Sequence, residues 1–479
     1  MLRVTIDGQA HELDGPLTIL EALRSIKVEV PTLCHDDRLK PYGGCRLCVV
    51  EDDETGRLVS ACTTPLADGM RISTHSQSVE AHRKTNLKLL AAQYPADEPL
   101  SEHLEFHRYL LQYGVKPTGT RKGQVLADTT HPYIRVDMEK CVHCNRCVRI
   151  CEELQGQFVW RIWNRGDKTQ ILPDRGATLL ESTCVSCGAC ADTCPSGALQ
   201  DRAVVEQGQP TEWTRTTCPY CGTGCEMSVG VRDGRVVVAK PVLDAPVNKG
   251  HLCVKGRYAH GFVHAPDRVL SPMIRTDGEW RKVSWEGAFA FVAERLQKIL
   301  AENGPQSVGV LGSARATNEE NYLAQKFARV VLGSNNVDCC ARVCHGPTAA
   351  ALKATLGTGA ATNSFNDIEQ AHTFLVSGAN PTENHPIVGA RIKQAVLNGA
   401  NLVVVDPRKT ELAALADVHL QIHPGTNIPV LHAMAHAIID EGLVDEAFVT
   451  ARTSDFEQMI PRSCDPRAGD RARLRFLSA

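Results

Sequence analysis

The chain has 479 residues, 43% of them apolar, with 52 Lys and Arg against 55 Asp and Glu. That length predicts several domains with real cores, and a net charge of -3 gives no electrostatic footprint for nucleic acid or an anionic membrane. No stretch approaches the roughly 18 uninterrupted apolar residues of a membrane helix, and no charged leader or twin arginine precedes "MLRVTIDGQAHELDG", so the reading is cytoplasmic.

Twenty cysteines would mean disulfides in a small secreted chain, but these lie in tight groups in a long one, and in a reducing cytosol they point to metal. The opening segment alternates as strand, and two strand-like runs precede the helical run "LTILEALRSI". Cys34, Cys45, Cys48 and Cys62 follow, with glycines before Cys45 that let the backbone wrap close to a cluster. The layout predicts a small ferredoxin-like domain over residues 1–78 carrying a 2Fe-2S cluster. Its C-x10-C-x2-C-x13-C spacing departs from the plant pattern, and structural zinc is the alternative.

Residues 79–130 contain "YPADEPLSEHLEFHRYLLQYG", with His103 and His107 on an expected helix docking between domains and no cysteine. Residues 131–205 hold Cys141, Cys144, Cys147 and Cys151, then Cys184, Cys187, Cys190 and Cys194, both as C-x2-C-x2-C-x3-C. That double run binds paired 4Fe-4S clusters, each fourth cysteine crossing over. Cys194 should therefore join the first trio and Cys151 the second. Over residues 211–267, Cys218, Cys221, Cys225 and Cys253 have a different spacing and mark a further cluster, with Lys255 two residues beyond.

Four of the 20 cysteines remain: Cys339, Cys340, Cys344 and Cys464. Cys344 is followed by His345; a soft thiolate suits a high-valent metal and a neighbouring imidazole can take a proton near neutral pH. The bland alternative is a buried, inert cysteine. Downstream, "HTFLVSGANPTENHPIVGARIKQAVLNGANLVVVDPRKT" alternates strand, loop, helix, strand and loop, as in a doubly wound sheet whose loops bind nucleotides. Gly378, Asn380, Asp406, Arg408, Gly425 and Asn427 fall in such loops. "GTGAAT" at Gly357 lacks the dinucleotide fingerprint, and no nicotinamide or flavin site is found.

On "CPYCGTGC", "CVKGR" and "TNEENYLAQKFARVVLGSNNVDCCARVCHGPT", the chain resembles the molybdenum or tungsten bis-pterin oxidoreductases, and within them the formate dehydrogenase catalytic (alpha) subunits, over roughly residues 1–455. The resemblance implies a multidomain α+β and α/β architecture: a β-grasp 2Fe-2S domain, a 2x4Fe-4S ferredoxin domain, a small 4Fe-4S domain and, over 268–455, a partial doubly wound molybdopterin-binding domain. It implies molybdenum (or tungsten) bis-molybdopterin guanine dinucleotide beside one 2Fe-2S and three 4Fe-4S clusters. Cys344 matches the metal ligand, His345 the catalytic histidine, and Lys255 a lysine between cluster and pterin. The loop residues from Gly378 to Asn427 would contact the guanine dinucleotide tails. Formate and CO2 would be the substrate pair, and a diaphorase-type partner with FMN and NAD, or another acceptor, would take the electrons.

Two departures stand out. Relatives with this N-terminus, including the large subunit of respiratory NADH:quinone oxidoreductase, often hold a cluster by one histidine and three cysteines where residues 79–130 have no cysteine. Residues 456–479, ending "PRSCDPRAGDRARLRFLSA", do not resemble the family, and the expectation is a truncated, frame-shifted or split product with Cys464 incidental. The competing readings are an electron-transfer subunit related to NADH:quinone oxidoreductase or a hydrogenase, and an inactive fragment that only carries electrons.

Overall fold

Asp7 and Gly8 both have positive φ, 48° and 80°, which is the turn chemistry of a two-residue hairpin. The two strand-like runs before the first helix are therefore an antiparallel pair, Leu2–Ile6 and Gln9–Leu13. The computed structural model of the chain describes residues 1–119, 126–457 and 460, which divide into two units, the second beginning at residue 368.

In the first unit the helix Ile19–Ser25 starts at a capping box: Thr18 Oγ1 accepts from Glu21 N at 3.2 Å, and the Glu21 carboxylate accepts from Thr18 N at 2.7 Å. It packs Ile19, Leu20 and Leu23 on Val4, Ile6, Val50 and Ile72 of a five-stranded sheet. The sheet runs from Gln9–Leu13 through Leu2–Ile6, Arg71–Ser73 and Val49–Asp52 to Arg57–Ser60, with Leu2–Ile6 parallel to Arg71–Ser73. Cys48 and Cys62 are buried members of this core.

Helices Gln77–Ala91 and Glu105–Tyr113 come next and share a core with Leu33, Leu47 and Val142. A small antiparallel sheet of Leu199–Asp201, Ile134–Asp137 and Ala127–Asp128 then carries the short helices Arg146–Ile150 and Ala189–Thr193. The two cysteine runs curl alike: His143 and Asn145 in one, Ser186 and Gly188 in the other, all have positive φ at matching positions. Alternating left-handed residues turn the backbone around a centre, which brings successive cysteines to one side.

The antiparallel strands Glu212–Thr217, Glu226–Arg232 and Arg235–Pro241 and the short helix Val254–Tyr258 follow. Further on, Val310–Gly312 pairs in parallel with Val337–Cys339, and helices Ala341–Cys344 and Gly346–Leu356 lead away from that pair. Burial is sparse in this stretch: Leu311 is 89% and Val343 88% exposed.

The second unit is built on three parallel strands in sequence order, Thr373–Ser377, Asn401–Val405 and Val418–Leu420. The helix Pro386–Leu397 makes the crossover between the first two, and Ile392 joins Leu402, Val404 and Leu412 in the core. Strand, loop, helix, strand and loop fall where the alternation in the sequence put them.

Candidate functional site

Each predicted cysteine group is brought together in the first unit. Cys34, Cys48 and Cys62 are buried and Cys45 is half-buried. The Cys45 amide donates to Cys34 Sγ at 3.4 Å, the backbone wrap expected from the preceding glycines. The four thiols hydrogen-bond one another: Cys34 is pushed far down by Cys45 and Cys62, Cys48 goes down to about 7 through Cys62, and Cys45 and Cys62 are driven up. Thiols this crowded and this dry share charge, which suits a common metal centre.

One small cavity is lined by Cys141, Cys144, Cys147 and Cys194 together with Met138, Ile171 and Leu199. Cys194 thus lies with the first trio. Cys151 exerts its charge on Cys184, Cys187 and Cys190, the other trio. Equivalent amides serve the two loops, with His143 N donating to Cys141 Sγ at 3.4 Å and Ser186 N to Cys184 Sγ at 3.3 Å. Burial pushes the Cys184 thiol up to about 11 and Cys187 to about 12, so a thiolate forms at either only with a cationic partner such as iron. Among the described residues, no three His, Cys, Asp or Glu side chains converge as they would on a single ion. The donor sets are nearly pure thiol and buried, which fits iron–sulfur clusters.

Cys218, Cys221, Cys225 and Cys253 form the third group: Cys218 N donates to Cys225 O at 2.8 Å, and the charges of Cys218, Cys221 and Cys253 all bear on Cys225. Gly256 leaves room there, since a Cβ would lie 3.3 Å from Cys218 Sγ. Lys255, on the helix Val254–Tyr258, favours the Cys218 thiolate, although burial dominates and raises it.

Cys344 and His345 are exposed side by side at the head of the helix Gly346–Leu356. The bland alternative of a buried, inert thiol is therefore not what the structure has. Cys340 is exposed and Cys339 half-buried. Arg315 Nη1, in the segment following Val310–Gly312, donates to Tyr220 O at 2.9 Å and so reaches the Cys218–Cys221 loop.

In the second unit, Gly378, Asn380, Asp406, Arg408, Gly425 and Asn427 gather at the carboxyl ends of the parallel strands. Gly378 has φ 60° and Gly425 φ 87°, so both take backbone shapes that suit glycine. A Cβ on Gly378 would lie 4.0 Å from Asn427 Nδ2, which puts the first and third loops side by side. Asn380 and Asp406 are buried and Arg408 is exposed. The Asp406 carboxylate accepts from Arg408 N at 2.8 Å.

His107 is buried on the helix Glu105–Tyr113, while His103 lies exposed before it. Cys464 lies outside the described residues. Sequence reasoning passed over Arg38, Asp192, Asp201, Arg257 and Tyr258, which form ion pairs and hydrogen bonds among the cysteine modules. They are single charged or aromatic residues with no spacing of their own. The only local hint was their nearness to ligand cysteines.

Comparison with known proteins finds four family models along the chain. Residues 1–77 match the 2Fe-2S iron-sulfur cluster binding domain, and residues 131–200 the NADH-quinone oxidoreductase subunit 3, ferredoxin-like domain. Residues 211–265 match the molybdopterin oxidoreductase Fe4S4 domain, and residues 268–461 molybdopterin oxidoreductase. Two Staphylococcus aureus proteins named "Putative formate dehydrogenase", from strains USA300 and bovine RF122, are 30% and 31% identical over 95% of this chain and 51% of their own length. The chain spans about half the length of the curated relatives it matches. Among solved structures, acetylene hydratase from Pelobacter acetylenicus is 30% identical, with a TM-score of 0.45 over 52% of this chain and 35% of its own. An NAD+-reducing NiFe-hydrogenase is 26% identical, with a TM-score of 0.39 over 42% and 88%. No helix among the described residues is long and apolar enough to cross a membrane.

Proposed function

Because the chain belongs, through its matched domains, to the iron–sulfur molybdopterin oxidoreductases, we propose that it is the catalytic alpha subunit of a formate dehydrogenase. Formate would lose two electrons and a proton to give CO2, and the electrons would leave through the cysteine modules to a partner. The observation that carries this reading is the exposed, adjacent Cys344 and His345 within the stretch matched as molybdopterin oxidoreductase. The names of relatives aligned over 95% of the chain support the substrate.

When bound, a molybdenum or tungsten bis-pterin would supply a two-electron acceptor and the iron–sulfur clusters one-electron relays. Cys344 offers a soft sulfur ligand just ahead of the helix Gly346–Leu356. His345, next in sequence and open to solvent, is the imidazole beside it that would accept the proton. Lys255 holds a positive charge beside Cys218, which favours electron arrival there. The backbone amides and polar side chains at Gly378, Asn380, Asp406, Arg408, Gly425 and Asn427 suit the guanine dinucleotide tails. A 2Fe-2S cluster would be held by Cys34, Cys45, Cys48 and Cys62, and three 4Fe-4S clusters by the other twelve grouped cysteines.

Iron, sulfide, molybdenum, tungsten and released pterin measured on one anaerobically purified sample test the proposal. Iron together with pterin and metal, and loss of the metal alone in Cys344→Ser, is the expected result. Iron with no pterin would leave a second reading, an electron-transfer subunit, which the ferredoxin-like match over residues 131–200 favours.

A further inference from the structure

Gly188 lies between Cys187 and Cys190 with φ 72°, and a Cβ built on it would fall 2.4 Å from Tyr258 Oη and 3.0 Å from Arg257 Nε. No methyl group fits there. The side chains four and five residues beyond Cys253 are therefore pressed against the loop that carries Cys187 and Cys190, and two cysteine modules meet through them.

Arg257 is 1% exposed and held on both sides: Nη2 donates to Asp201 Oδ2 at 2.8 Å and Nη1 to Asp192 Oδ1 at 3.3 Å. Tyr258 donates to Asp201 Oδ1 at 2.8 Å. Asp192, itself between Cys190 and Cys194, also accepts from Arg38 Nη1 at 2.9 Å, and Arg38 donates to Gly250 O at 2.9 Å. One buried network thus joins the first, second and third cysteine modules. Within it, the Arg257 Nε–H is buried with no hydrogen-bond partner. An ionised donor kept dry without an acceptor is unfavourable unless something anionic sits there.

We propose that Arg257 is a positioning residue that gives its Nε–H to the cluster held by Cys151, Cys184, Cys187 and Cys190, setting that cluster's potential and its approach to the Cys218 module. This rests on the reading that the cysteines hold iron–sulfur clusters. A hydrogen bond from a fixed cation favours the reduced cluster, which carries one more negative charge, and so raises its potential. With clusters bound, the Cys218 module would supply one electron to the module beside Arg257. The donor and acceptor are both iron–sulfur clusters, and no bond is made or broken. Arg146 provides an internal comparison: it is buried between Cys144 and Cys147, its Nη1 is paired with Glu105 at 2.6 Å, and its Nε is likewise without a partner.

The test is a redox titration of the anaerobically purified full chain, followed by electron paramagnetic resonance. Arg257→Lys keeps the charge between Asp192 and Asp201 but has no Nε–H. With iron and sulfide retained, the ratio of reduced to oxidised species at fixed potential should fall about tenfold for one 4Fe-4S signal, or about 59 mV for one electron. The 2Fe-2S signal should stay put, and Arg146→Lys should move a different signal. Unchanged potentials in an iron-replete Arg257→Lys protein would overturn the proposal. Should the lysine variant lose its iron, Gly188→Ala decides, because it pushes Arg257 off the loop without touching a charge: the same signal falls, or the proposal is wrong. An unmodified chain without iron and sulfide defeats the cluster reading itself, a distinct outcome.

Discussion

Arg149 Nη1 donates to the carbonyl of Cys34 at 3.0 Å, so a residue two places before Cys151 holds the backbone of a cysteine in another module. Its other terminal nitrogen donates to Lys40 O, and the guanidinium lies 4.9 Å over the Tyr42 ring. Hydrogen bonds from a charged donor contribute about 1.5–3 kcal/mol each, and an Arg–aromatic contact about 0.5–2. Arg149→Met should therefore destabilise the first unit by on the order of 3 kcal/mol. In urea denaturation followed by circular dichroism, the midpoint should drop, with the visible 2Fe-2S bands bleaching before the 4Fe-4S absorbance. An unmoved midpoint would show that the modules are held elsewhere.

His107 gives a pH prediction with a definite sign. Tyr94 donates its hydroxyl to Ser196 O at 2.8 Å, so His107 Nε2, 2.8 Å from that hydroxyl, must be the donor to it. His107 Nδ1 accepts from Ser101 N at 3.0 Å. Both nitrogens of the neutral ring are satisfied by protein, and burial holds the pKa below the ordinary value. The unfolded chain takes up a proton near pH 6.5 that the folded chain refuses, so stability is full above that pH and falls as the pH drops below it. One such group contributes a slope of up to about 1.4 kcal/mol per pH unit, down to the folded pKa. His131 and His260, also pushed down by burial, act in the same sense. His107→Phe should lower stability at neutral pH and flatten the slope below pH 6.5 by one proton, read from urea midpoints across that range. An unchanged slope would mean that His107 is charged in the fold.

Much of this arrangement could be read from the chain alone, because cysteine spacing is a local signal. The eight cysteines of the double run specify their own crossover, and the structure lines one cavity with Cys194 and the first trio. The parallel strands of the second unit were likewise legible, since Asn401–Val405 is an apolar run between a helix and a turn. The two strand-like runs ahead of the first helix were legible too, and the fold pairs them as the antiparallel strands Leu2–Ile6 and Gln9–Leu13. The network of Arg38, Asp192, Arg257 and Asp201, by contrast, was invisible. Its members are as much as 219 residues apart, the gap from Arg38 to Arg257, and a lone charged residue reads as solvated surface until the fold buries it.

Arg83 is fully buried, with Nε donating to Leu47 O at 3.2 Å and Nη2 to Val49 O at 2.8 Å. These carbonyls flank Cys48, so a residue on the helix Gln77–Ala91 sets the shape of a cysteine loop. Arg83→Leu leaves both carbonyls dry and unpaired, at about 1–3 kcal/mol for each. The variant should release iron from the first module faster than the unmodified chain when challenged with a chelator, with the 4Fe-4S signals persisting. Equal release rates would refute the link.

Gly389 tests how the second unit shapes its candidate nucleotide loops. It sits on the buried face of the helix Pro386–Leu397, and a Cβ there would lie 2.7 Å from Thr382 N and Cα and 2.9 Å from the Pro381 carbonyl carbon. These are backbone atoms, so no rotamer change relieves the clash, and either the helix or the segment Pro381–Asn384 must move. Overpacking of this kind costs about 1–3 kcal/mol. Asn380 precedes that segment directly, and its Oδ1 accepts from Thr382 Oγ1 at 3.0 Å, so the shift reaches a proposed pterin contact. Gly389→Ala should lower the melting temperature and, where the purified chain carries pterin, reduce its pterin content while leaving iron unchanged. Gly389→Ser should do the same, since its Cβ meets the same backbone. Retention of both melting temperature and pterin would show that the helix can withdraw without disturbing the loop.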